Sequence, residues 1–185
     1  MEQNQLRKNL WNGAAKAGLA LGGVSSVYLF ASQFITAAGM SGFLSGLFSL
    51  LLWAAKFGGC IWLMKFFMKK FASENGNVQN STTFRFGMLS AFLSALVYAA
   101  VSFANVAFIS ADMFTEQMNA LMQQMAPMMD SNTMAVMDTY MENLPQITFI
   151  SNLIYCFLYG MVLSFILSRN IPSKDPFANY RPEEQ

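Results

Sequence analysis

Residues 86–109 read FGMLSAFLSALVYAAVSFANVAFI, twenty-four residues with no charge, led in by Arg85 and followed within three residues by Asp112. A helix needs ~20 mostly apolar residues to cross a bilayer, so this stretch is read as a membrane span. Three similar stretches occur at 17–38, 43–67 and 147–168. The composition agrees: 55% hydrophobic and only 11% charged residues, with 18 Phe and 15 Met, is too apolar for an ordinary soluble domain. The expected fold class is all-α, a polytopic membrane protein with four transmembrane helices. The first stretch follows Arg7, Lys8 and Lys16, but its apolar run exceeds the ~7–15 residues of a signal peptide, so a retained anchor is expected.

Charge placement orients the spans. Segment 1–16 carries Arg7, Lys8 and Lys16. Lys65, Lys69, Lys70 and Arg85 flank the loop between the second and third spans, and Arg169, Lys174 and Arg181 follow the fourth. The 111–146 segment holds Asp112, Glu116, Asp130, Asp138 and Glu142 and no base. Lys/Arg in short loops mark the cytoplasmic side, so both termini are expected there, with 169–185 a disordered cytoplasmic tail. The outer segment 111–146 holds nine Met. Phe114, Met118, Leu121, Met122 and Met125 share one helical face, with Asp112 as the expected N-cap and Pro127 as the stop. A second helix is expected from Asp130 or Ser131, with Met134, Met137, Met141 and Leu144 as its stripe and Pro145 as its end. This extracytoplasmic amphipathic hairpin, between the third and fourth spans, should lie on the membrane or fold onto the bundle.

Lys56 is the ionisable residue placed well inside a span. A mid-span lysine costs ~2.5–3.5 kcal/mol on the insertion scale, so it should face a polar interior, water or a partner. No Asp or Glu lies in the four spans, which leaves Ser25, Ser90, Ser94, Asn105 and Asn152 in neighbouring spans as the candidate intramembrane polar partners. The functional reading is an anion or proton site, or a link to an acid on another subunit. The plain alternative ends span two near Ala55, hinges the chain at Gly58-Gly59 and lays residues 60–71 along the surface.

Ala14, Gly18, Gly22 and Ser26 recur every fourth residue, a ridge suited to close helix contact within the bundle or, less simply, between subunits. Cys60 and Cys156 fall inside spans at depths differing by nearly ~10 Å, so no disulfide is expected between them. Lys16-Ala17-Gly18 and Arg85-Phe86-Gly87 open the first and third spans alike, each followed by serines and a tyrosine, Tyr28 and Tyr98. Two parallel hairpin repeats or chance likeness of apolar helices account for this equally.

The chain has no histidine, removing the commonest general base and metal ligand, and no Gly-rich phosphate loop. No enzyme is expected, no catalytic or metal residues are assigned, and no cofactor is implied. No basic cluster is interleaved with aromatics, so nucleic acid is not an expected partner. The bilayer is, together with a homo-oligomer or another membrane protein. Soft Met thioethers could capture Cu(I), but lipid or protein packing explains them more simply.

Several stretches carry a resemblance: Lys69-Lys70-Phe71, Thr82-Thr83-Phe84-Arg85-Phe86-Gly87, Phe108-Ile109-Ser110-Ala111-Asp112, the Met-rich loop, and Ser168-Arg169-Asn170-Ile171-Pro172. Together they resemble a bacterial family known as domain of unknown function 4199, over most of the chain. The resemblance implies a four-span inner-membrane protein and supplies no catalytic residues. The expected function is a non-catalytic scaffold or accessory subunit. The alternatives are a small transporter or channel organised around Lys56, and Cu(I) binding by the outer loop.

Overall fold

The computed structural model describes residues 2–37, 43–76, 78–125, 127 and 130–171. The described residues form six α-helices and no strand: α1 (Glu2–Ala37), α2 (Phe43–Glu74), α3 (Asn80–Ala104), α4 (Ala111–Met125), α5 (Ser131–Glu142) and α6 (Leu144–Arg169). Four of them, α1, α2, α3 and α6, are long and apolar enough to span a membrane. The all-α, four-span expectation therefore holds. The tail from Pro172 onward, with Lys174 and Arg181, lies outside the described residues, as do Met128 and Met129.

Helices α1 and α2 outrun the bilayer. At ~1.5 Å per residue α1 is about 54 Å long, against ~30 Å of hydrocarbon. The extension exists because Leu6 and Leu10 continue, at fourfold spacing, the stripe that becomes Ala14, Ala17 and Leu21, and they pack on the same core. Asn9 Nδ2 donates to Asn75 Oδ1 at 3.0 Å, fastening the extension to the turn after α2. That turn is tight: Gly76 sits at φ +73°, in the left-handed region that closes a helix C-terminus. The polar run toward Thr83, read from sequence as loop, is already helical from Asn80, and α2 likewise continues past Phe67 to Glu74.

At the centre lies α3, with α1 on one side and α6 on the other. Glycines let the backbones approach. A Cβ on Gly18 would lie 2.6 Å from Leu93 Cβ, and one on Gly160 would lie 2.5 Å from Ala91 Cβ. The small-residue ridge of α1 is thus spent inside the bundle, against α3. Helix α2 leans mainly on α1 and touches α3 and α6 less. Its burial is lopsided. Met64, Met68, Phe71 and Ala72 are buried, and Phe71 stacks on Phe86 at 4.3 Å between ring centroids. Between residues 46 and 63 no residue of α2 is buried. The tightest packing therefore gathers at the end that carries the basic residues.

At the other end α3 runs into a π-helical turn, Asn105–Ile109. The Ser110 amide donates to the Asn105 carbonyl at 2.8 Å, five residues back, and Ser110 Oγ donates to Asn105 Oδ1 at 3.2 Å. This wider turn keeps Asn105 and Val106 inside while Phe108 and Ile109 point outward. It also corrects the start of α4. The Phe114 amide finds the Ser110 carbonyl at 3.1 Å, so the helix begins at Ala111 and Asp112 sits in its first turn rather than at its cap. Asp130 does cap α5, accepting the Thr133 amide at 2.8 Å. The Thr133 hydroxyl and amide together hold the Asp130 carboxyl below the usual range. Pro145 opens α6 rather than closing α5, because a first-turn proline has no amide to leave unpaired. Of the expected stripes, Phe114, Met118, Met122, Met134, Met137 and Met141 are half-covered, while Leu121 and Met125 are exposed.

Candidate functional site

Helix α2 is continuous through Gly58 and Gly59, so the hinge that would have lifted Lys56 to the interface does not form. The side chain of Lys56 instead turns from α2 toward the bundle and is half-buried. Its Nζ lies 4.6 Å from the centroid of the Tyr28 ring of α1 and 5.1 Å from that of Tyr98 of α3. Phe57 offers a third ring at 5.8 Å, and itself meets Tyr159 of α6 edge-on at 5.4 Å. One lysine and its neighbour thus tie the N-terminal half of α2 to all three other spans.

The energetics of this arrangement nearly close. A mid-span lysine costs ~2.5–3.5 kcal/mol, and a desolvated cation–ring contact returns ~2 kcal/mol. Two such rings offset the insertion cost without an acid. A carboxylate counter-ion is therefore not required to account for Lys56.

Beside the ammonium is a crevice of about 70 Å³, lined by Ser25, Ser94, Cys60, Cys156, Tyr155 and Tyr159 among others. That exceeds the ~10–15 Å³ a single water needs, so the crevice has room for water beside the ammonium. Ser25 Oγ and Cys60 Sγ approach to 3.9 Å. Both cysteines are free thiols, and both line this crevice despite their different depths.

The sequence-derived polar candidates separate into two groups. Ser25 and Ser94 line the crevice with Lys56. Ser90 is buried, with its hydroxyl donating to the Phe86 carbonyl at 2.8 Å, and is not part of the lining. Asn105 is committed to the π-helical turn, and Asn152 is half-buried on α6 and also outside the lining. Sequence reasoning missed the rings. Tyr28 and Tyr98 did carry a signal, since they follow the paired openings at Lys16 and Arg85 by nearly the same interval, 12 and 13 residues.

Among the described residues no cluster of three His, Cys, Asp or Glu side chains could hold a metal ion. Between α4 and α5, Met118 and Met141 line a crevice with Val106, Leu144 and Pro145 at the foot of α6.

No curated protein and no solved structure matches this chain. A family model does, that of the proteins of unknown function DUF4199, over residues 16–169. The matched segment takes in Lys56 and its rings, the π-helical turn and helices α4 and α5, and stops where α6 ends. By that match the chain belongs to the DUF4199 family.

Proposed function

We propose that this protein is a non-catalytic scaffold or accessory subunit of the bacterial inner membrane, with both termini cytoplasmic, acting through helix contacts. The carrying observation is the outer half of α2. Held to its own bundle by Lys56 and Phe57, it leaves Leu50, Leu51, Trp53, Ala54 and Ala55 exposed. A Cβ on Gly46, Gly58 or Gly59 would meet nothing within 4 Å. Small residues on a lipid-facing helix let another helix come close. Lys56, already offset by its rings, needs no ligand for this role. Cysteine cross-linking at Ala54 and Ala55 in native membranes, followed by gentle solubilisation, tests the reading. A cross-linked copy or stoichiometric partner supports it; partner-free monomers throughout sink it. Lys56→Leu should leave that association intact.

The crevice favours a second reading, a small transporter or channel for an anion or protons organised around Lys56. It requires a solute flux in proteoliposomes that Lys56→Leu abolishes, and flux unchanged by the substitution removes Lys56 as the site. Cu(I) capture outside is the least supported, since among the described residues no cluster of His, Cys, Asp or Glu stands ready to reinforce the thioethers. It fails if the full-length protein does not compete for Cu(I) against a weak chelator.

A further inference from the structure

At the basic end of the bundle, between α1 and α2, lies a groove of about 350 Å³, in the range of small-ligand sites. Its polar walls are Asn9, Asn12 and Lys16 from α1 and Lys70, Glu74 and Asn75 from α2 and its turn. Phe67, Phe71 and Phe86 form the floor. The amide of Asn75 is engaged, accepting from Asn9 and donating to the Phe71 carbonyl at 2.8 Å. Two lysines line the groove, and Glu74 neutralises one only in part, 3.8 Å from Lys70 with both side chains more than half exposed.

Depth identifies the ligand. Lys16 stands just before the first apolar stretch and Lys70 just after the second, so the groove opens at the level of lipid headgroups. Trp62, Phe66, Lys70 and Glu74 follow one another every fourth residue along one face of α2. Trp62 and Phe66 stack at 5.7 Å and are 66% and 48% exposed, forming an aromatic track that leads from the groove toward the bilayer centre. A phosphate in the groove and an acyl chain on the track would fill both features, and a free phosphate would use only one. We propose that this groove binds the phosphate headgroup of an anionic phospholipid, with Lys16 and Lys70 as its cationic ligands.

The test uses the full-length protein in nanodiscs or mild detergent, with native mass spectrometry counting retained phosphatidylglycerol against phosphatidylcholine of the same chains. A juxtamembrane lysine is worth about five-fold in affinity for an anionic lipid surface, so Lys16→Gln with Lys70→Gln should lower the preference about twenty-five-fold. Glu74→Gln should raise it, because the carboxylate competes with the headgroup for Lys70. Lys8→Gln, an exposed α1 lysine outside the groove lining, should change it less than two-fold. Millimolar inorganic phosphate should not displace the lipid. An unchanged preference in the double variant overturns the site. Equal losses for Lys8→Gln and Lys16→Gln mean a diffuse surface potential, and displacement by inorganic phosphate means a soluble ligand; either overturns the proposal.

Discussion

Replacing Tyr98 by leucine while Lys56 stays in place should destabilise the bundle more than replacing Lys56 itself. The ammonium lies 4.6 Å from the Tyr28 ring and 5.1 Å from the Tyr98 ring. Lys56→Leu removes the insertion cost of ~2.5–3.5 kcal/mol together with two ring contacts of ~2 kcal/mol each, for a net loss of only ~0.5–1.5 kcal/mol. Tyr98→Leu keeps the full insertion cost and loses one contact, so it costs ~2 kcal/mol beyond the packing lost with the ring. In the double variant the stranded ammonium is gone, and that extra cost should vanish. A double-mutant cycle cancels the packing contribution and isolates a coupling of ~2 kcal/mol, about thirty-fold in the unfolding equilibrium. Reversible unfolding in bicelles, followed by steric trapping, reads all four proteins on one scale. A coupling below ~0.5 kcal/mol, within the usual scatter of additivity, would refute the claim that the rings carry Lys56.

Further outcomes follow from the packing, the cap and the charge pattern. Gly160→Leu, whose Cβ would meet Ala91 at 2.5 Å, should cost at least the ~1–3 kcal/mol of core overpacking in the same unfolding assay. Gly58→Ala, with nothing within 4 Å, should be neutral or stabilising by up to ~1 kcal/mol, the helix preference of Ala over Gly. The Asp130 carboxyl titrates below its usual range, so its contribution to α5 is full above the unfolded value of ~3.9 and fades as pH falls through the lower folded value. Hydrogen exchange at the Thr133 amide, corrected for intrinsic rates, should therefore lose protection only on acidification, and Asp130→Ala should abolish that pH dependence. Single cysteines at Ser73 and Asn132, in a background lacking Cys60 and Cys156, test orientation. Asn132 should label in intact cells and Ser73 only after permeabilisation, and the reverse pattern overturns the proposed topology.

Depth was legible in the amino-acid order; rotation was not. Hydropathy locates a residue along a span, and on that axis the four long apolar helices could be read. Which way a side chain points depends on how each helix is turned against its neighbours, and almost uniformly apolar spans carry little periodic signal to decide it. Ser25 and Ser90 show the difference: both were plausible partners for Lys56, yet one lines its crevice and the other bonds the carbonyl one turn back. Aromatic partners were overlooked because the search for relief of a buried charge looked to hydroxyls and amides. Helix ends shifted for a simpler reason. Charged and polar residues stop a hydropathy window but not a helix, so α1 and α2 run on where Leu6, Leu10, Phe71 and Ala72 still find a core. The π-helical turn has no sequence signature that its composition would reveal.

The lopsided burial of α2 gives the helix a mechanical character. Its anchorage lies around Met68 and Phe71, while Gly46 stands twenty-five residues away, about 38 Å along the axis at ~1.5 Å per residue. A rod pinned near one end is a lever. A tilt of about 5° about that fulcrum would carry the far tip about 3 Å sideways, roughly two residues' worth of helical rise. Lys56 sits partway along the arm, where its contacts with Tyr28 and Tyr98 act as a latch against that swing.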